Sequence, residues 1–130
     1  MNIEEEMKKV YVAGAISAPT LEKGLKNLRA GIECGATLLK MGFCPFVPHL
    51  TAQFNLVQEE LIPVETHYKY DLEWLAVCDC MIVLPGYENS YGVAKEIEFA
   101  KERGIPVFYG IEELVKWHSP TGIYETIEVK

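Results

Sequence analysis

Short apolar runs alternate along the chain with longer stretches of helical period. Lys9-Val10-Tyr11-Val12-Ala13-Gly14 is β-branched and aromatic, ends at a glycine, and predicts a buried strand. From about Thr20 to Met41, Leu21, Leu25, Leu28, Ile32, Ala36 and Leu39 recur at helical spacing, with Lys23, Lys26, Asn27 and Lys40 elsewhere around the helix. That stripe is the expected apolar face, and Gly42 is the expected C-terminal stop. Phe43 to Val47 reads as a second strand, weakened by Pro45. From Pro48 to about Glu65 no period is evident, as in many functional loops.

The alternation then resumes. Tyr68 to Val77 predicts a helix with Leu72, Leu75 and Ala76 on one side. Cys80 to Leu84 is a third buried strand, punctuated by Pro85-Gly86. Ser90 to Arg103 predicts a helix, Ile105 to Tyr109 a fourth strand, and Ile111 to Trp117 a short helix. Residues 124–129 offer an edge strand, and the first eight residues read as a frayed start. Strand-helix alternation of this kind predicts an α/β fold: a doubly wound (Rossmann/flavodoxin-like) parallel sheet of four to five strands with helices on both faces. The 130 residues fit a single domain. Ligands in such sheets sit beyond the carboxyl ends of strands, which directs attention to Gly14–Thr20 and Pro85–Gly92.

Composition narrows the function classes. A formal net charge of −7 argues against binding a nucleic acid polymer, which needs many cations against phosphates. One phosphate held by backbone amides is compatible with that charge. The first nine residues are acidic and lack the apolar core of a signal peptide. No apolar run approaches the ~20 residues of a membrane span, so the expectation is a cytoplasmic protein with no membrane partner. Cys34, Cys44, Cys78 and Cys80 lack metal-site spacing and are expected to be free buried thiols. Cys78 and Cys80, two residues apart on an extended segment, are expected on the same face. No histidine pair has metal-ligand spacing, so neither metal nor cofactor is expected.

Within the Ser90 helix, Val93, Ala94, Ile97 and Ala100 form an apolar face, and Lys95, Glu98 and Glu102 are expected in solvent opposite it. Glu96 falls between the two groups. It is either a boundary glutamate paired with Lys95 or Arg103, or a partly shielded carboxylate placed as a nucleophile or base. Asp71, just inside a helix start, either complements the helix dipole or faces a site. Asp79 reads as a turn or capping residue. Ser90 is a candidate N-cap, and with Gly92 it also forms a helix start able to accept phosphate. Gly14 to Ser17 can supply further amides, but matches neither the dinucleotide fingerprint nor the lysine-bearing phosphate loop. His49 is a lone loop histidine, and His67 and His118 show no arrangement.

Taken in order, Tyr11-Val-Ala-Gly14, Asp71-x-x-Trp74-Leu75-x-x-x-Asp79 and Ser90-x-Gly92-x-x-x-Glu96 resemble the nucleoside 2-deoxyribosyltransferase-like superfamily. Pro48-His49-Leu50-Thr51 and the Leu84–Ser90 turn are similar to a poorly characterised branch of it. The resemblance runs from about Lys9 to Trp117. It implies that Glu96 is the nucleophile at the anomeric carbon, that Tyr11 positions it, and that Asp71 contacts or protonates the departing base. Gly14, Ser17, His49, Asn89, Ser90 and Gly92 are the candidate substrate-binding residues. Transferases of free nucleosides usually carry Asp where Ser90 stands, whereas relatives that hydrolyse nucleoside 5'-monophosphates carry a serine that binds phosphate. The resemblance therefore implies an N-glycosidase or transferase acting on a nucleoside or nucleotide small molecule, with 5'-monophosphate hydrolysis favoured by Ser90. A free-nucleoside transferase and a nucleotide sensor without turnover are the other readings. The Ala15–Pro19 loop lacks the arginine and paired glycines of the hydrolases, and the base-facing stretch from about Phe46 to Tyr68 matches neither branch. Relatives are dimers or larger, which implies a homodimer or higher homo-oligomer.

Overall fold

The computed structural model describes residues 6–118. One sheet of four parallel strands runs in the order β2-β1-β3-β4, with β1 at Lys9–Ala13, β2 at Cys44–Phe46, β3 at Cys80–Val83 and β4 at Val107–Phe108. Helices α1 (Leu21–Lys40), α2 (Pro48–Thr51), α3 (Val64–Leu75), α4 (Tyr91–Glu102) and α5 (Ile111–His118) connect and cover the strands. The pleat sorts side chains into two layers. Val10, Val12, Cys80 and Ile82 pack with Cys34, Leu38 and Leu114, which places α1 and α5 on one face. Tyr11, Ala13, Met81 and Val83 pack with Leu75, Val93 and Ala100, which places α3 and α4 on the other. This is the expected α/β architecture, wound in both directions from β1. The reversal falls between β1 and β3, where a crevice opens at their carboxyl ends.

Pro45 is accommodated because β2 is an edge strand, where a missing N–H costs no ladder bond on the free side. Gly42, at φ 93°, ends α1 in the left-handed region, as expected. Lys9 N–H donates to Asp79 Oδ2 at 2.7 Å, so Asp79 ties the turn before β3 to the start of β1.

Four expectations need correction. The stretch after β2 is not irregular: α2 is followed by a 3-10 turn at Ala52–Val57, and α3 starts four residues before Tyr68. The leucine stripe of α1 does not face the sheet. Leu21 is 80% exposed, Leu25 55%, Ile32 40% and Leu39 57%, while Gly31, Cys34, Gly35 and Leu38 are buried. Small residues win this face because α1 lies too close to the sheet edge and α2 for larger ones. A Cβ on Gly35 would stand 2.7 Å from Val47 Cγ2, and one on Gly31 would enter the His49 ring. Cys78 and Cys80 belong to opposite layers, because Cys78 sits in the turn before β3 and does not share its pleat. Cys44 is exposed on the edge strand, unlike the three other free thiols. The suggested edge strand at 124–129 lies outside the described residues.

Candidate active site

The crevice between the ends of β1 and β3 widens into a cavity of about 1050 Å³. The β1–α1 loop forms one wall through Gly14 to Ser17, and the first turns of α1 add Lys23 and Asn27. The Pro85–Ser90 turn and the start of α4 form another wall, including Asn89, Ser90, Gly92 and Glu96. Helix α3 and the segment before it close the third side, with Leu61 to Val64, His67, Tyr68 and Asp71. Asn55 joins that side from the 3-10 turn.

Glu96 is placed by the register of α4. Ser90 caps that helix, its Oγ accepting the Val93 N–H at 3.2 Å. Val93 and Ala100 anchor the helix face on the sheet, and Glu96 stands between them at the cavity wall. Beneath it lies Tyr11, fully buried, whose direction follows from the alternation of β1. The Tyr11 hydroxyl donates to Glu96 Oε2. Phe46 stacks on the Tyr11 ring at 5.7 Å and on Trp74 at 5.3 Å, so the tyrosine is held by an aromatic layer. Asp71 reaches the same cavity from α3, and its Oδ1 is buried with no hydrogen-bond partner among the described residues.

The electrostatics follow from this packing. Burial, with the nearby Asp71 adding to it, pushes the Glu96 carboxyl up to about 8, against the opposing pull of the Tyr11 hydrogen bond. Burial alone raises Asp71 to about 6. Burial first, then the Glu96 and Asp71 charges, holds Tyr11 far above the ordinary phenol range, so it stays a neutral donor. Two interacting carboxyls with these values share one proton between about pH 6 and pH 8. In that range the proton rests mainly on Glu96 and Asp71 is the anion, so an attack by Glu96 draws on the minor arrangement in which the proton has passed to Asp71.

A model of one protein family matches residues 8–110. The chain belongs to the family described as a domain of unknown function (DUF7768). No curated protein matches this DUF7768 chain. Among solved structures it is similar to a 2-deoxyribosyltransferase from the psychrotolerant bacterium Bacillus psychrosaccharolyticus. That likeness has 24% identity over 76% of this chain and 69% of the other, with a TM-score of 0.54. It is also similar to a conserved protein from Enterococcus faecalis V583, at 22% identity over 96% of this chain and 81% of the other, with a TM-score of 0.61. Both likenesses bear on the fold.

Of the residues expected from sequence, Glu96, Asp71, Gly14, Ser17, Asn89, Ser90 and Gly92 line the same cavity. Tyr11 lies behind Glu96. His49 is 1% exposed and is not on the cavity wall, which corrects its expected contact with substrate. Its Nε2–H donates to the Ala15 carbonyl at 3.3 Å, so the ring pins the β1–α1 loop from behind. Burial lowers its pKa, the Ala15 bond opposing, which keeps the imidazole neutral. A Cβ on Gly14 would meet both His49 and Leu84, so the loop closes tightly over the ring.

Several wall residues carry no sign in the sequence pattern. Periodicity puts Lys23 and Asn27 on the polar face of α1, yet that polar face borders the cavity because the leucine stripe turns outward. Lys95, expected in solvent, is also at the cavity rim, 4.0 Å from Glu98 and over the Tyr91 ring. His67 and Asn55 come together only because the Pro48–Glu65 stretch folds back on α3. No short-range pattern announces that contact.

Among the described residues, no helix is long and apolar enough to cross a membrane.

Proposed function

We propose that this protein cleaves the N-glycosidic bond of a nucleoside 5'-monophosphate or nucleoside through a covalent glycosyl-Glu96 intermediate. The observation that carries this reading is the half-buried Glu96 carboxyl on the cavity wall, hydrogen-bonded by Tyr11, with the Asp71 carboxyl on the same cavity and its Oδ1 buried without a hydrogen-bond partner among the described residues. In the first step, once the shared proton has passed from Glu96 to Asp71, the ionised Glu96 bonds to C1' as the C1'–N bond breaks. The electron pair of that bond leaves with the base nitrogen, which takes the proton held by Asp71. In the second step, Asp71 accepts a proton from water or an incoming base, whose oxygen or nitrogen bonds to C1' and releases Glu96. Tyr11 donates to the carboxylate throughout, steadying its charge and its aim.

Ser90 supports a 5'-monophosphate. Its oxygen is engaged by Val93 N–H, which leaves the hydroxyl proton free to donate at the start of α4. Lys23 supplies, from α1, a cation on the cavity wall whose β1–α1 loop has no arginine. The similarity to a 2-deoxyribosyltransferase supports the general class of chemistry. The same reading takes the protein to be a homo-oligomer. Leu21, Leu25, Leu28, Ile32 and Leu39 follow the four-three spacing of a helix-helix seam, and four of the five are well exposed.

Incubation with deoxynucleosides, ribonucleosides and their 5'-monophosphates, with chromatography for free base, tests this. Free base that appears with wild type and disappears with Glu96→Gln supports the reading, and a sugar adduct on Glu96 by mass spectrometry identifies the intermediate. A second base added as acceptor separates transfer from hydrolysis. Thermal stabilisation by a nucleotide without any product would overturn catalysis in favour of a sensor.

A further inference from the structure

The cavity holds a second polar pair that the glycosidic chemistry does not use. Asn55 Oδ1 accepts the Ile62 N–H at 2.8 Å, which fixes the orientation of the amide. Its Nδ2 therefore faces His67 Nε2, at 3.4 Å. An amide nitrogen only donates, so His67 Nε2 accepts, and the ring proton resides on Nδ1. His67 is one helical turn before Asp71 on α3, and both line the cavity with Asn55. The apolar wall beside them is Leu61 to Val64. Ser90 and Lys23 stand on other walls of the cavity.

We infer that the Asn55–His67 pair is the base-reading element of this site, and that it selects bases carrying an oxo group over their amino counterparts. The inference rests on the glycosidase reading, since Asp71 can protonate only a base that lies against α3. A flat base covers the apolar wall with its face and turns one edge to His67. The imidazole whose Nε2 is occupied has one hydrogen-bonding atom left, the Nδ1–H donor. A carbonyl oxygen satisfies it, whereas an exocyclic amine meets it donor to donor. A site built to hydrogen-bond one group rejects the analogue that cannot reciprocate more strongly than an apolar pocket does.

Isosteric substrate pairs test this. Inosine against adenosine and deoxyuridine against deoxycytidine, as nucleosides and 5'-monophosphates, are compared by kcat/KM and by ligand-induced thermal shift. Wild type is expected to favour the oxo member by roughly tenfold or more. His67→Phe keeps a ring and removes the donor, and is expected to bring the ratio to near one. His67→Asn returns an N–H close to the Nδ1 position and is expected to restore it. The nitrogen-15 resonances of His67 should place its ring proton on Nδ1 and should move when an oxo-base nucleotide binds, a response that a merely structural histidine would not show. A base released with the same oxo-to-amino ratio in wild type and His67→Phe overturns the inference and leaves the glycosidase reading intact. No release from any substrate, with an oxo preference in the thermal shifts that His67→Phe abolishes, keeps base reading and overturns catalysis. Absence of any shift or release overturns both.

Discussion

The two faces of one sheet have been built to different ends. On the α1/α5 side, Val10, Val12, Cys80, Ile82, Leu38 and Leu114 make a dry layer without an ionisable carboxyl. On the α3/α4 side, the same two strands contribute Tyr11, Ala13, Met81 and Val83, and the layer ends in a phenol and two carboxyls at the crevice. The first face contributes stability through burial, at about 1.5–3 kcal/mol for each fully buried aliphatic side chain. The second gives some of that up, because Glu96 and Asp71 are desolvated without full compensation. A cavity with two desolvated carboxyls is thus set against a layer that can carry its cost.

Glu96→Gln breaks that contrast most sharply. Base release should fall roughly 10³-fold or more, because the amide cannot form the glycosyl ester. Stability should move the other way. The Glu96 carboxyl lies near 4.5 when unfolded and about 8 when folded. The folded protein therefore holds this proton more tightly, and the associated stability is fully present below about pH 4.5 and lost as pH rises through 8. The amide of the Glu96→Gln variant does not titrate. The variant's advantage over wild type should be small at pH 5 and grow to the order of a few kcal/mol above pH 8. Thermal melts of both proteins across pH 5–9 measure the difference, and parallel curves would contradict the burial assigned to Glu96.

Leu38→Ala tests the opposite face. Leu38 is fully buried on α1, and its loss should destabilise by about 2–5 kcal/mol. Denaturant unfolding reads that loss, while kcat of the folded fraction should stay within about twofold, since Leu38 touches neither carboxyl nor cavity. A large kcat effect would mean that the two layers are mechanically coupled.

How much of this contrast is legible in the sequence depends on which residues carry it. The strand pattern places Tyr11 on a buried strand and helical spacing places Glu96 at a helix margin, but only the resemblance singles the two out as the centre of a candidate site. Its surroundings cannot be read from the sequence. Helix α1 has two stripes, one of leucines and one of Gly31, Cys34, Gly35 and Leu38, and periodicity favours the leucines. Distance makes the choice: α1 packs so close to His49 and Val47 that only small residues fit, a tertiary fact with no local sign. With α1 turned that way, Lys23 and Asn27 border the cavity and His49 is covered. The pairing of His67 with Asn55 follows instead from the folded-back Ala52–Val57 turn.

Tyr11→Phe sharpens the carboxyl-bearing face without emptying it. The ring still stacks on Phe46 at 5.7 Å, so packing is retained and only the hydroxyl is lost. That hydroxyl lowers the Glu96 pKa, and its removal raises it. On the proposed mechanism the competent state holds one proton between Glu96 and Asp71, so kcat/KM against pH should be bell-shaped, with limbs near pH 6 and pH 8 in wild type. In Tyr11→Phe the upper limb should move to higher pH and the maximum should fall roughly tenfold to hundredfold, the worth of a hydrogen bond to a charged group. An unmoved upper limb would separate Tyr11 from the titration of Glu96.

The smallest effect on stability is expected where sequence and structure disagree most, on the outward stripe of α1. Leu25 is 55% exposed and Ile32 40%, and both lie among exposed ion pairs, Lys26 with Glu22 and Arg29 with Glu33. Leu25→Glu should change the folding free energy of the isolated chain by no more than about 0.5 kcal/mol, since little apolar contact is lost. Its effect should appear in size instead. A charge placed in a four-three seam cannot be buried against a second copy without a partner, so light scattering should show wild type heavier than one chain and the variant shifted toward monomer. A wild type that is monomeric at high concentration would leave the stripe without that role. A variant that loses several kcal/mol while monomeric would mean that Leu25 packs within its own chain, reversing the exposure that distinguishes this face of α1 from the buried face beneath it.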